Sequence, residues 1–428
     1  MTTGNFTCAA LARSETGVTA NPACAHLEKH RSTPVNHEIP IVYLGNDWFA
    51  ENRTSSHHIA RRLGKVFPVL YVDCPGFRAP KANSRDFNKL WRKLRKVFHA
   101  PRQIDEHMWQ ITMPQIPLRN LPFVGLLNRW FGCWIILRAL HKLGLERPIL
   151  WFLVPHTADL LGHLNERFSV YYCTDDHSSM PGVNSREIRR MDELLTRRSG
   201  QVFVTSPALL ERKLKANPST TYSPHGVDVA MFQKALDPDL PLADGVRNLP
   251  HPIIGFYGLI EAWVDLDLIE YLATARPNWT FVMIGRVAVN IARFKQFSNV
   301  LFPGTQPYES LPAWAKAFDV SIIPFRQSEL VRNVNPLKLR EYLAAGSPVV
   351  SVPMAEVNNF SSHVWIARTR EDFLTAIEEA FSSDNEERRA ARKQLVAAMT
   401  WDARVEEVVN LVWARMEESG GQGRGPLA

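Results

Sequence analysis

Residues 335–351 read NPLKLREYLAAGSPVVS and set a lysine and a glutamate three positions apart at the start of a short helix. Asn335 suits an N-cap and Pro336 the first turn, while Gly346 followed by Pro348 closes the helix. The first turn of such a helix leaves N–H groups free and carries the positive end of the helix dipole, which suits a phosphate. Lys338 adds a full charge in that turn. Glu341, on nearly the same face, can accept hydrogen bonds from paired hydroxyls such as those of a ribose. A lysine for a diphosphate beside a carboxylate for a ribose fits a nucleoside diphosphate sugar. The alternative is an exposed ion pair worth a few tenths of a kcal/mol.

Such a pair needs a frame that brings helix starts and strand ends to one place. Apolar, β-branched and aromatic runs recur as IPIVYLG (39–45), FPVLYVDCP, RPILWFLVP (147–155), FSVYYCTDD (168–176) and GQVFVTSP (200–207), each followed by a helical pattern. Thr54 or Ser55 starts the helix SSHHIARRLGK, and Ser206 with Pro207 starts ALLERKLKA. Alternation of this kind predicts a parallel sheet with helices on both faces. A polar, Pro-rich stretch at 234–251 interrupts it, and PIIGFYGLI, WTFVMIGR, NVLFPG, FDVSIIPF and SPVVSVP then restart it. The expectation is an α/β protein of two doubly wound parallel-sheet domains facing a cleft, with ligands beyond the carboxyl ends of the strands. Two domains also suit 428 residues, since single cores seldom grow past about 250. No GxGxxG follows either first strand, so a bound dinucleotide is not expected.

Five scattered cysteines, Cys8, Cys24, Cys74, Cys133 and Cys173, form no CxxC pair. That spacing predicts neither a zinc site nor a disulfide framework and fits a reducing cytosol. Residues 1–36 lack a long apolar core behind a basic start, and no eighteen uncharged apolar residues run together, so neither a signal peptide nor a membrane span is expected. Much of the basic excess falls in KANSRDFNKLWRKLRKVFHA (81–100), which holds seven Lys or Arg against one Asp. Its apolar residues recur at helical spacing, giving a basic amphipathic helix able to lie on an anionic bilayer or, alternatively, to pack on its own domain. Nucleic acid is not expected as a partner, because no binding motif is present. The segment LPFVGLLNRWFGCWIILRAL (121–140) is the most apolar in the chain; Arg129 and Arg138 interrupt it. It is expected as a core helix, with a membrane-facing surface as the alternative.

In order and spacing, these segments resemble the GT-B-fold glycosyltransferases, most closely the bacterial polysaccharide type similar to teichuronic-acid and exopolysaccharide enzymes. NPLKLREYLAAGSPVVS resembles their donor-gripping segment, IIGFYGLIEAWVDLDLIEYLATARPNWTFVMIGR the opening of their donor domain, and NVLFPGTQPYESLPAWAKAFDVSIIPF its middle. SPHGVDVAMF (223–232) resembles the segment that ends the first domain, with His225 where Asn is usual, and TWDARVEEVVNLVWARM the terminal helix that crosses back onto that domain. The resemblance implies a leader at 1–36, an acceptor-binding domain at 37–233, a linker at 234–251, a donor domain at 252–399, a crossover helix at 400–417 and a tail at 418–428. It assigns Glu341 to the ribose hydroxyls, Lys338 to the diphosphate, and Gly258 to a turn where backbone amides approach the phosphates or the acceptor. Arg286 would neutralise a phosphate oxygen or form a structural salt bridge, and Thr305 to Tyr308 would border the base. Many retaining members carry a second glutamate eight positions before the one matching Glu341; Asn333 stands there, which favours an inverting transfer.

Inversion requires a general base for the acceptor hydroxyl. The adjacent carboxylates Asp175 and Asp176, at a strand end in YYCTDDH, are the first choice, because repulsion and partial burial raise one pKa. One of them could instead cap the following turn. His58 is the second choice and His156 the third. The reading is a glycosyltransferase of the hexosyltransferase type, cytoplasmic and peripheral on the inner face of the cell membrane. It would move a sugar from a nucleoside diphosphate donor to a polysaccharide or lipid-linked acceptor. No metal and no cofactor are expected, since Asp175-Asp176 lacks the intervening residue of a DxD site and a helix end can stabilise the leaving diphosphate. Alternatives are a nucleotide-sugar epimerase of the same fold and an inactive nucleotide-sugar-binding scaffold.

Overall fold

Two sheets organise the chain, and their central strands are buried on both faces while the edge strands are partly exposed. The computed structural model describes residues 39–50, 53–74, 100–116, 123–180 and 182–420; most of the basic segment 81–100 lies outside them. The first sheet contains β1 (Ile41–Gly45), β2 (Val69–Asp73), β3 (Arg102–Asp105), β4 (Met108–Thr112), β5 (Ile149–Phe152), β6 (Phe168–Cys173), β7 (Gln201–Val204) and β8 (Thr220–Tyr222), in the order β3-β4-β2-β1-β5-β6-β7-β8. The second contains β9 (Ile253–Tyr257), β10 (Thr280–Ile284), β11 (Val300–Gly304), β12 (Val320–Ile323), β13 (Val349–Ser351) and β14 (Trp365–Ile366), in the order β11-β10-β9-β12-β13-β14.

Every pairing is parallel except β3 with β4. The first sheet is therefore mixed rather than wholly parallel. A tight turn between β3 and β4 permits the antiparallel pair, and β3 is a largely exposed edge strand. A second correction concerns the connections: only a 3₁₀ turn, Pro155–Leu160, lies between β5 and β6. Elsewhere the helix signals hold. Thr54 caps Ser55–Leu63, and Ser206 Oγ accepts from Leu209 N–H at the start of Pro207–Leu214.

The segment expected in the core does not lie wholly there. The helix Val124–Leu143 buries Asn128, Gly132, Ile135, Ile136, Ala139 and Leu140 but leaves Leu126, Leu127, Trp130, Trp134 and Leu137 exposed. Its apolar residues run all round, and the first domain covers only one side.

The last helix, Trp401–Gly420, belongs to the first core although the preceding chain belongs to the second. Trp401, Val405, Val408, Val409 and Val412 pack with β1, β2 and β5, and Asp402 accepts from Arg62 at 3.0 Å. Its entry is tight: a Cβ on Gly226 would stand 2.7 Å from the backbone of Trp401, so only glycine fits. The Pro-rich stretch after the first sheet is also pinned, with Lys316 Nζ donating to the carbonyls of Asp237, Pro238 and Leu240 at 2.6, 2.9 and 2.7 Å.

Candidate active site

The second sheet reverses its strand order between β9 and β12, because β9 continues outward through β10 and β11 while β12 continues the other way through β13. Such a reversal opens a crevice at the carboxyl ends of the strands. Lys338 lies there. Its Nζ sits 5.2 Å from the ring of Phe256, in β9, and 4.8 Å from that of Phe325, just beyond β12. The half-buried ammonium makes no ion pair with any described residue, Glu341 included. Burial lowers its pKa to about 8. Two aromatic faces stabilise a cation without neutralising it, so the charge remains available to an anion.

Lys338 belongs to the helix Leu337–Ala344, whose N-cap is Pro336. The expected cap, Asn335, is used otherwise. Its side chain is 3% exposed, donates from Nδ2 to Thr205 O at 2.9 Å, and accepts from Arg340 Nη1 at 2.7 Å. Proline sets the extended backbone before the helix, which frees the asparagine to reach the first domain. Gly346, at φ +76°, ends the helix as expected.

Glu341 is buried one turn beyond Lys338. Burial raises its pKa to about 7, against the opposing pull of Lys338 and of tyrosine hydroxyls. Tyr308 OH donates to its Oε1 at 3.4 Å. In the loop expected to border a base, Thr305 is thus exposed, while Tyr308 turns inward and supports the carboxylate. Gly258 lies in the turn after β9, beside Lys338. Its own N–H donates to Ile284 O at 2.9 Å, which leaves any approach of a phosphate to the other amides of the turn. At φ +144°, a Cβ there would stand 3.2 Å from Lys338 Cε, so the glycine makes room for the lysine. Arg286, after β10, is exposed and forms no ion pair with a described residue.

Across from these groups stand the ends of β6 and β7. The carboxylates Asp175 and Asp176 divide sharply. Asp176 is buried, yet Arg212 at 2.8 Å and Ser178 hold its pKa below the ordinary carboxylate range; it also caps the turn His177–Ser179. Asp175 is pushed up to about 7 by burial, with the neighbouring Asp176 adding to the effect. One residue is therefore structural and the other has the pKa of a base at neutral pH.

His58 is 3% exposed, stacked flat on Trp401 at 4.9 Å and 2°, with Tyr308 at 5.4 Å. Its Nδ1 lies 3.3 Å from Asp228 Oδ2, and burial lowers its pKa against the opposing pull of that carboxylate. Despite its own burial, Asp228 is held at about 2 by His58 and by Arg62 at 2.5 Å. His156 is buried in the turn after β5, beneath the carboxyl end of the sheet. Among the described residues, no three His, Cys, Asp or Glu are arranged to hold a metal ion.

Sequence reasoning missed Phe256, Phe325, Tyr308 as a carboxylate partner, Asp228 and Thr205. Asp228 sits in HGVD, read only as a domain end, and the rest carry no pattern that spacing reveals.

Residues 248–383 match the family described as Glycosyl transferases group 1. That match spans all six strands of the second sheet. Over 397 aligned residues, covering 87% of this chain and 96% of the other, the chain is 24% identical to TuaH of Bacillus subtilis (strain 168), described as a teichuronic acid biosynthesis glycosyltransferase. Among solved structures, sucrose-phosphate synthase from Thermosynechococcus elongatus superposes with a TM-score of 0.66 at 14% identity, covering 89% of this chain and all of that one. Anabaena HepE, solved with UDP and glucose, does so with a TM-score of 0.59 at 14% identity and the same coverage. The architecture is GT-B.

Proposed function

We propose that the chain transfers a sugar from a nucleoside diphosphate donor to a polysaccharide or lipid-linked acceptor, with inversion and without a metal ion. The observation that carries this reading is Lys338: a cation placed at the sheet reversal, beside a helix start, that forms no ion pair with a described residue and feels only the more distant charge of Glu341. HepE binds UDP and glucose in the same fold, and TuaH is described as acting in teichuronic acid biosynthesis; both point to this substrate class. In the proposed step, the acceptor oxygen attacks the anomeric carbon, the bond to the diphosphate oxygen breaks, and Asp175 takes the acceptor proton. The diphosphate leaves against Lys338 and the first turn of Leu337–Ala344, which supply positive charge where negative charge develops. Asn333 favours inversion over retention: it is buried, donates to Glu329 O at 2.9 Å, and offers no carboxylate. A lipid-linked acceptor would keep its reactive end near the headgroups, and the basic segment 81–100 would hold the first domain on the inner face of the membrane.

Incubating the purified protein with a panel of nucleoside diphosphate sugars tests the reading. One or more of them should raise the melting temperature and be consumed when a glycan acceptor is added. If none shifts the melting temperature, the proposed donor class is wrong. A donor interconverted without an acceptor would mark an epimerase instead.

A further inference from the structure

The helix Val124–Leu143 uses one face completely. Asn128 exchanges two hydrogen bonds with the backbone of Ile116, accepting at 2.8 Å and donating at 2.9 Å, and Gly132 lies against Met113 and Leu160 too closely for a Cβ. The opposite face is apolar and open: Phe123 is 72% exposed, Trp130 67%, Leu127 52% and Leu126 51%, with Trp134 and Leu137 continuing the stripe at helical spacing. An exposed run of six large apolar side chains calls for an occupant.

Charge decides which occupant. The helix contains no Asp or Glu; its basic residues are Arg129, Arg138, His141 and Lys142, and Arg138, His141 and Lys142 extend the exposed face at its C-terminal end. Arg138 lies over the Trp134 ring at 5.5 Å, an aromatic and a cation side by side. A two-fold contact between copies of this face would set like charges near one another with no acid in the helix itself to offset them. An anionic bilayer meets both halves of the stripe: the acyl boundary takes the leucines and aromatics, and the headgroup phosphates take the cations. No described helix is long and apolar enough to cross a membrane, so the helix would lie along the surface.

We infer that the exposed face of Val124–Leu143 docks this protein on an anionic lipid surface. The inference rests on the lipid-linked acceptor of the proposed function for its purpose, but on the helix face alone for its geometry. The test is flotation with vesicles of phosphatidylcholine with and without phosphatidylglycerol. Wild type should float with the anionic vesicles. Leu127→Ser with Trp130→Ser should reduce binding at least about tenfold, as removal of two apolar side chains from a lipid boundary requires. Arg138→Glu with Lys142→Glu should reduce it and remove most of its salt dependence. All four positions are exposed, so the variants should keep the wild-type melting temperature and the wild-type donor consumption in solution. Wild type that fails to float overturns the inference. Binding unchanged in Leu127→Ser/Trp130→Ser also overturns it, in favour of 81–100. So does a concentration-dependent dimer that the same variants dissociate in the absence of lipid. Flotation by a protein that consumes no nucleoside diphosphate sugar would leave the surface standing and remove the transferase reading.

Discussion

Asn335 of the second domain donates from Nδ2 to the carbonyl of Thr205 of the first at 2.9 Å, both residues being buried. This bond sits within a longer chain. Thr205 Oγ1 donates to Thr174 O at 2.6 Å, next to Asp175; Arg340 Nη1 donates to Asn335 Oδ1 at 2.7 Å and pairs through its other arm with Glu356; and Tyr222 OH donates to Glu356 Oε2 at 2.6 Å. The candidate base and the candidate donor grip are thereby held in register by continuous hydrogen bonds. Asn335→Ala removes the joint and leaves a buried carbonyl and a guanidinium arm without partners, at a cost of about 1–3 kcal/mol. Denaturant unfolding should show that loss, and turnover should fall further than stability alone explains. Unchanged stability and turnover would mean that packing alone sets the register.

Lys338→Ala and Glu341→Gln should each weaken nucleoside diphosphate sugar binding about tenfold to a hundredfold, as the loss of a charge-assisted hydrogen bond does. Their stability should move the other way. Glu341 holds its proton more tightly folded than unfolded, with a pKa of about 7 against an ordinary 4.5. Its contribution to stability is complete below about 4.5 and is lost as pH rises through about 7. At pH 8 the buried carboxylate therefore opposes folding, and Glu341→Gln should melt at or above the wild-type temperature. That advantage should fade as the pH is lowered toward 4.5. A variant that melts well below wild type at pH 8 would show a structural carboxylate rather than a binding one.

Protons should also move on binding. Free Lys338, lowered to about 8, is partly neutral above that pH, and a bound diphosphate would raise its pKa again. Donor binding near pH 8.5 should therefore take up protons. Glu341 gives the opposite sign near pH 6, where ribose hydroxyls donating to the carboxylate favour its ionised form and release protons. Calorimetry in buffers of different ionisation enthalpy measures both, and Lys338→Ala should abolish the uptake while leaving the release. Absence of uptake in wild type would place the diphosphate away from Lys338.

Much of this architecture was legible because buried parallel strands write themselves as unbroken apolar runs; IIGFY and TFVMI in β9 and β10 read as strands on sight. The β3–β4 pair was missed because RQID is polar and its partner MWQIT follows a sequence with no strand signal of its own. Lys338 and Glu341 could be named from helix spacing, yet their surroundings could not. The aromatic flank of Lys338 comes from β9 and from the segment just after β12, far apart in sequence, and Tyr308 reaches Glu341 from another loop. Asn335 shows the limit from the other side. Its position before Pro336 gave a sound local argument for a cap, and a partner in a different domain overrode it. No local rule could have supplied Thr205.

The two adjacent carboxylates give the sharpest contrast to test. Asp176 is tied to Arg212 and Ser178 and caps a turn, so Asp176→Asn should lower stability through the lost ion pair and cap, with donor affinity preserved. Asp175 is raised to about 7 and carries no comparable cation, so Asp175→Asn should leave folding intact and lower turnover roughly a hundredfold to ten-thousandfold, the range expected for general-base help. The pH profile separates a base from a residue that only positions the acceptor. Wild-type turnover should rise with pH through about 7 as Asp175 ionises, whereas the residual turnover of Asp175→Asn should lack that rise. A profile that keeps its rise in Asp175→Asn but loses it in His58→Ala would transfer the role to the histidine stacked on Trp401.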